Sequence, residues 1–437
     1  MMFCGAGQRA VRVSANEEAI AHFLTALELL EDLAKGPKRR ERELSLHLAV
    51  AVPLQWARGF AAPELARAAA RARELCEQSR NPAQTFAALA QLTLLYATRP
   101  DYRLALELVD QLSVLVEELG DSSLEIVPDF MRVWPLLNLG SFEDVVRSSG
   151  RAMASYVPER DNLTAYIYGF ELGVLSLVFG SWARWFLGHP DQARRDLDRG
   201  LDLARKLGHP HTLAFTLVGA CELHWFLREP DAVSRYTEEL APLAHEHGFV
   251  YWEAHALFYG AEERIRNGQV KEGIAQLHEA IAGMKATGTE TCLTRLCCRM
   301  AGICEEVGAY DEASAAVDAA SRYMEEYDER YMAAEIHRHR GELALLQDRD
   351  VDGAEAHFAR AIAISRSQKA DSLELRATMS LARLWKELGR GPEARQRLND
   401  VYSRFEEGFD TPDLRDAEVM LQLLGGVEEA HGTAPVA

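Results

Sequence analysis

Four cysteines crowd the stretch TCLTRLCCRMAGICEE, at Cys292, Cys297, Cys298 and Cys304. Clustered thiolates are the usual ligands of structural zinc, but such sites need a short CxxC knuckle and a second pair. All four fall on one predicted helix, where the adjacent Cys297 and Cys298 point about 100° apart. They read as small core residues, and no metal is expected. His245-Glu246-His247 fails for a related reason: side chains two apart on a helix diverge, and the HExxH spacing is absent. That tripeptide reads as a helix C-terminus before Gly248, where an imidazolium complements the helix dipole. No Ser-His-Asp arrangement or nucleophile elbow can be argued, and Gly5-Ala6-Gly7-Gln8-Arg9 lacks the lysine and hydroxyl of a phosphate loop. The expectation is a non-enzyme with no catalytic residue and no cofactor.

The remaining chemistry is ionic. Glu335, Arg338 and Glu342 stand at offsets of three and seven, on one stripe of a predicted helix. The same stripe in neighbouring units carries His255, Phe258 and Glu262, then Arg295, then Arg376 and Arg383. Guanidinium forks match carboxylates and phosphates bidentately. The stripe therefore predicts either a contact for a protein or peptide partner or a small anionic ligand, or a set of internal ion pairs. Tryptophans 182, 185, 225 and 252 recur in the same helices and read as core.

Overall charge narrows the partners. The 437 residues carry 48 Lys and Arg against 67 Asp and Glu, a net charge of −19. Nucleic-acid binding draws on clustered cations, so no nucleic acid is expected, and anionic lipid is disfavoured for the same reason. No run approaches 18 uncharged apolar residues, so no membrane span is expected. The start, MMFCGAGQRAVRVS, lacks an apolar signal core, and seven scattered cysteines suit a reducing compartment, which together predict a cytoplasmic protein.

Periodicity decides which elements position these residues. Residues 354–362, AEAHFARAI, place Ala354, Phe358, Ala361 and Ile362 on one helical face. The small-large-small skeleton recurs at Ala193, Leu197, Gly200; Ala232, Tyr236, Glu239; Gly273, Leu277, Ala280; Ala313, Val317, Ala320; and Ala394, Leu398, Val401. Its third positions step by 39, 41, 40, 41 and 40 residues. Weaker copies reach back to Ala19, giving ten units. Each skeleton follows a turn such as LGHPDQ (187–192) or LGRGPE (388–393), with another amphipathic helix ahead of it. The two or three domains suggested by length thus give way to a single array. The predicted fold is all-α: a tetratricopeptide-like α-solenoid of about ten hairpins of roughly 40 residues, wound as a right-handed superhelix. In that fold the ionic stripe lines the concave groove. The expected layout is an N-terminal lead-in at 1–15, repeats at 16–411 with an insertion near 155–169, a capping helix at 412–424 and a disordered tail at 425–437.

AEIHRHRGELAL (334–345), AEAHFARAIAISRSQKADSLELRATMSLARLW (354–385) and EEGFDTPDL (406–414) resemble the C-terminal tetratricopeptide region of bacterial class III adenylate/guanylate cyclases fused to a signalling ATPase. AGQRAVRVSANEEAIAHF (6–23) and RARELCEQ (71–78) are similar to the start of that region, so the resemblance spans roughly 6–424. It implies an interaction or ligand-sensing scaffold of signal transduction, with the cyclase and ATPase domains missing from this chain. Alternatively, catalysis lies on another or an upstream polypeptide. A departure is Gly169-Phe170-Glu171-Leu172-Gly173, where relatives tend to carry His-Asp-Pro. A further alternative, the regulatory end of a maltose-regulator-like transcription factor, would need a helix-turn-helix domain that the segment after 424 is too short to hold.

Overall fold

The computed structural model describes residues 2–12, 15–34, 36–59, 62–77, 81–161, 168–289 and 291–429, and among them no strand occurs. The helices pair as consecutive hairpins. The first four are α1 (Met2–Arg12) with α2 (Asn16–Glu31), α3 (Pro37–Arg58) with α4 (Pro63–Glu77), α5 (Pro82–Thr98) with α6 (Tyr102–Leu119), and α7 (Ile126–Asn138) with α8 (Phe142–Ser155). A single turn, α9 (Pro158–Asp161), precedes the fifth, α10 (Leu172–Phe186) with α11 (Pro190–Leu207). Then come α12 (Pro210–Phe226) with α13 (Pro230–Glu246), α14 (Val250–Arg266) with α15 (Val270–Ala286), and α16 (Leu293–Glu306) with α17 (Tyr310–Tyr327). The array ends with α18 (Ala333–Leu343) and α19 (Val351–Ser367), α20 (Asp371–Glu387) and α21 (Gly391–Tyr402), and the unpaired α22 (Pro412–Glu429).

Local chemistry sets these boundaries. Pro190, Pro210 and Pro230 sit in the first turn of their helices, where a missing N–H costs nothing. Asp101 and Asp350 cap α6 and α19 by accepting from the amides of Leu104 and Gly353. The skeleton side chains are then buried between hairpins: Ala193 and Leu197, Leu277 and Ala280, Ala313 and Ala320, and Ala354, Phe358 and Ala361 are all at most 2% exposed.

The structure differs from the sequence reading in three places. In α13 the predicted Tyr236 is buried together with Val233, Thr237 and Leu240, while the predicted Ala232 and Glu239 stay partly exposed, so the third position moves to Leu240. With that shift the third positions run 200, 240, 280, 320, 361 and 401, a tighter 40-residue period than the sequence reading gave. Residues 2–12, read as lead-in, form helix α1 packed on α2, and α22 extends past 424 to Glu429. Residues 430–437 and 162–167, which hold most of the expected tail and part of the expected insertion, lie outside the described residues.

The superhelix winds tightly enough for successive turns to touch. The Tyr102 hydroxyl donates to Glu329 (2.9 Å), the Arg330 amide to the Asn138 carbonyl (2.6 Å), Ser372 Oγ to the Trp185 carbonyl (2.5 Å) and Arg376 to the Phe226 carbonyl (2.5 Å). Each contact joins hairpins about five apart, so one turn takes roughly five units. Segment 406–414 is one of these joints: Glu407 accepts from the Gln192 amide, and Asp413 pairs with Arg376 and Arg228. Gly188, at φ +85°, shows how close the turns come. A Cβ there would lie 3.1 Å from both Asp371 Cβ and the Phe405 ring, so a side chain would meet both the wrong backbone region and the neighbouring turn.

Candidate functional site

Five hairpins per turn bring the first helices of hairpins three to eight around the axis. Their inner faces line a partly open cavity of ≈ 70 Å³. Its wall is aromatic: Phe130 and Trp134 from α7, Phe179 and Trp182 from α10, Phe215 from α12, and Trp252 from α14. Phe179 meets Trp182 and Phe215 edge-on, with ring centroids 5.5 and 5.6 Å apart, a geometry aromatic quadrupoles favour. Only a few polar groups reach this lining, and most are engaged. Thr291 bonds the Tyr102 hydroxyl, Thr98 donates to its own helix, and His255 Nδ1 faces the Tyr251 carbonyl.

Arg295 supplies the cation, and it is 1% exposed. Its guanidinium sits 5.3 Å from the Trp182 ring centroid, with Nη1 against the Glu222 carboxylate. Glu222, fully buried on α12, also accepts from the Tyr259 hydroxyl at 2.5 Å and lies 3.8 Å from Arg299, which pairs in turn with Glu262. Burial works to raise the Glu222 carboxyl, but Arg295 and Arg299 outweigh it and hold it below its ordinary range. Two arginines face two glutamates, so the cluster is neutral. Charges this deep are tolerated only when paired.

The predicted stripe divides among several environments. His255 and Arg295 share the axial cavity. Phe258 does not line it; the side chain is fully buried beneath Arg299, whose guanidinium is 5.9 Å from the ring centroid. Glu335, Arg338 and Glu342 do come together on α18, with Arg338 donating twice to Glu335 at 3.0 Å and standing 3.8 Å from Glu342. Burial opposes ionisation of Glu335, yet Arg338 and Arg376 pull it down to about 2. Arg376 pairs with Asp413 and lies over Trp185 rather than facing an open groove. Arg383 pairs with Glu342 at 3.0 Å but keeps 56% of its side chain exposed. Sequence reasoning missed Glu222 and the N-terminal half of the aromatic wall; Trp182 and Trp252, read only as core, also face the cavity. Cys297, Cys298 and Cys304 are buried with burial-raised thiols, and among the described residues no His, Cys, Asp and Glu grouping could hold a metal ion. No described helix is long and apolar enough to cross a membrane.

Buried titratable groups give the fold a pH dependence. His209 and His255 are pushed by burial from 6.5 to about 4, His255 with help from Arg295. The unfolded chain binds more protons between those values, so stability present above pH 6.5 is lost as pH falls toward 4. Glu171 has the opposite sign: burial raises it from 4.5 to about 7, and its contribution is lost as pH rises through that range. His47, His211, His337 and His357 are lowered as well, and these imidazoles outnumber the carboxyls raised by burial, Glu171, Glu306, Glu329 and Asp371, so the melting temperature should fall between pH 6.5 and 4.5. A flat profile across that window would contradict neutral burial of these histidines.

No known family profile and no curated protein matches the chain. Among solved structures it is similar to a Rap protein complexed with competence and sporulation factor, at 13% identity and a TM-score of 0.60, covering 84% of this chain and 97% of that one. It is also similar to a signal transduction ATPase with numerous domains carrying a tetratricopeptide repeat sensor, from Pyrococcus horikoshii, at 15% identity and a TM-score of 0.42, over 89% of this chain and 55% of that one. Aspartyl phosphate phosphatase F from Bacillus subtilis gives 10% identity, a TM-score of 0.43, and coverage of 93% and 98%. The first likeness shows the fold: a tetratricopeptide-like helical solenoid.

Proposed function

We propose that the chain is a non-catalytic interaction module of signal transduction that holds a protein or peptide segment on the inner face of its superhelix. The observation that carries this reading is the stack of ten hairpins, each packed on the next, with Arg383 left open to solvent at the C-terminal end of the ionic stripe. The similar Rap structure, captured with competence and sporulation factor, supports a bound signalling partner in this architecture. The exposed end of the ionic stripe, Arg383 with Glu342 beside it, is the open handle. A carboxylate-bearing peptide fits that handle better than a small anionic ligand, because Arg338 and Arg376 are already held by Glu335 and Asp413.

An array of immobilised Asp- and Glu-containing peptides tests this. Arg383→Ala should abolish capture while changing stability by no more than about 0.5 kcal/mol, as an exposed substitution does. Capture that survives the change would remove Arg383 from the site; no capture by the unaltered chain would sink the reading. The finer assignment, a regulatory region for ATPase-linked adenylate or guanylate cyclases, rests on the resemblance of 334–345, 354–385 and 406–414. Mixing the chain with such a cyclase and finding its rate unmoved would count against it.

A further inference from the structure

We propose that the axial cavity is a binding site for a small uncharged aromatic molecule bearing one hydrogen-bond acceptor. The inference goes beyond the protein-binding reading and does not depend on it. Its basis is a mismatch in the cavity wall. Arg295 Nε is buried and has no hydrogen-bond partner, although Arg295 belongs to the cavity lining. An N–H of a guanidinium only donates, so the missing partner is an acceptor. Leaving such a group unmet in a low-dielectric site is costly, which makes it a selective anchor for whatever brings the acceptor.

The rest of the wall defines the body of the ligand. Phe130, Trp134, Phe179, Trp182, Phe215 and Trp252 offer ring faces and edges on several sides. At ≈ 70 Å³ the space is several times the ~10–15 Å³ that a single water requires. A flat ring enters it edge first, in the offset and edge-on geometries the wall already uses, with the rest of the ring in the open mouth.

Charge balance excludes the ionised alternatives. Arg295 is paired with Glu222, and Arg299 with Glu262 and Glu222, so no positive charge is left over for an anion. Of the other ionisable groups on the lining, His255 is held neutral by burial, and burial raises the Tyr251 hydroxyl and the Cys292 thiol above their ordinary range. A carboxylate would enter beside Glu222 without a counter-ion, and a cation would meet Arg295 already over Trp182. A neutral carbonyl satisfies Nε and leaves the pair intact.

Three isosteric probes separate these cases on the full chain: acetophenone, ethylbenzene and benzoate, followed by tryptophan fluorescence and saturation-transfer NMR. Acetophenone should bind saturably, and about tenfold more tightly than ethylbenzene, the worth of one hydrogen bond to a charged donor. Benzoate should bind at least about tenfold more weakly than acetophenone, because its charge is unpaired. Arg295→Lys keeps a cation beside Glu222 but removes Nε, and should bring the acetophenone and ethylbenzene affinities together without abolishing either. Ala97→Leu, which fills the cavity from α5, should weaken all three and serves as the control if the lysine variant does not fold. Non-saturating acetophenone, benzoate binding as tightly as acetophenone, or affinity unchanged in Ala97→Leu would each overturn the proposal.

Discussion

Glu222→Leu should destabilise the chain by about 3–5 kcal/mol, the usual effect of stranding one member of a buried ion pair. Arg295 has no other carboxylate in an ion pair among the described residues, and the Tyr259 hydroxyl loses its acceptor at the same time. Arg299 keeps Glu262 and is affected less. The double change Glu222→Leu with Arg295→Met should recover most of that loss, since replacing a whole buried pair by apolar groups of similar volume is often neutral. Urea unfolding of the two single variants and the double variant measures the coupling directly. If the double variant is as unstable as the sum of the singles, the two residues are not partners.

Phe358→Ala is the second large effect, at about 3–5 kcal/mol by the large-to-small core rule. The ring is fully buried, and Gly341 on the facing helix makes room for it: a Cβ there would lie 2.5 Å from the ring. Its neighbours Ala354, Ala361, Ile362, Ala377, Leu381 and Leu384 form a small cluster separate from the main core. Stability in stacked repeats is mostly nearest-neighbour, so the loss should concentrate in α18 to α22. Amide exchange should quicken there first, and reach α10 and α12 only through the bonds of Ser372 and Arg376 to their last turns. Exchange that is unchanged in α19 and α20 would mean the hairpin packing around Phe358 is not as described.

Much of this architecture is legible in the sequence, because a skeleton such as Ala354, Phe358 and Ala361 obeys a local rule: small residues allow close helix approach and a large one fills the gap. The rule faltered at α13, where Ala232 and Glu239 fit the spacing as well as Val233 and Leu240 do. Only packing distinguishes them, by leaving Glu239 outside to pair with Arg205 at 2.8 Å. The site was less legible for a different reason. The groove closes because a small rotation per hairpin accumulates over about five hairpins, and no single residue announces that sum. Tyr102 and Glu329, or Phe226 and Arg376, are partners whose relation no spacing rule reaches. Arg338 and Arg383 look equivalent on a helical stripe, yet one ends paired beneath the surface and the other open to solvent.

The joints between turns also change how the molecule would bear a load. A solenoid whose units touch only their neighbours is a coil spring, extending under tension and shedding hairpins one at a time from its ends. Here the bonds from Tyr102 to Glu329, Asn138 to Arg330, Trp185 to Ser372 and Phe226 to Arg376 act as stays between coils. Each ties one turn to the next, so the turns from Tyr102 to Arg376 cannot part until these bonds fail. The protein is therefore stiff along its axis where an open array is compliant, and a force trace should show one cooperative rupture ahead of any stepwise unravelling.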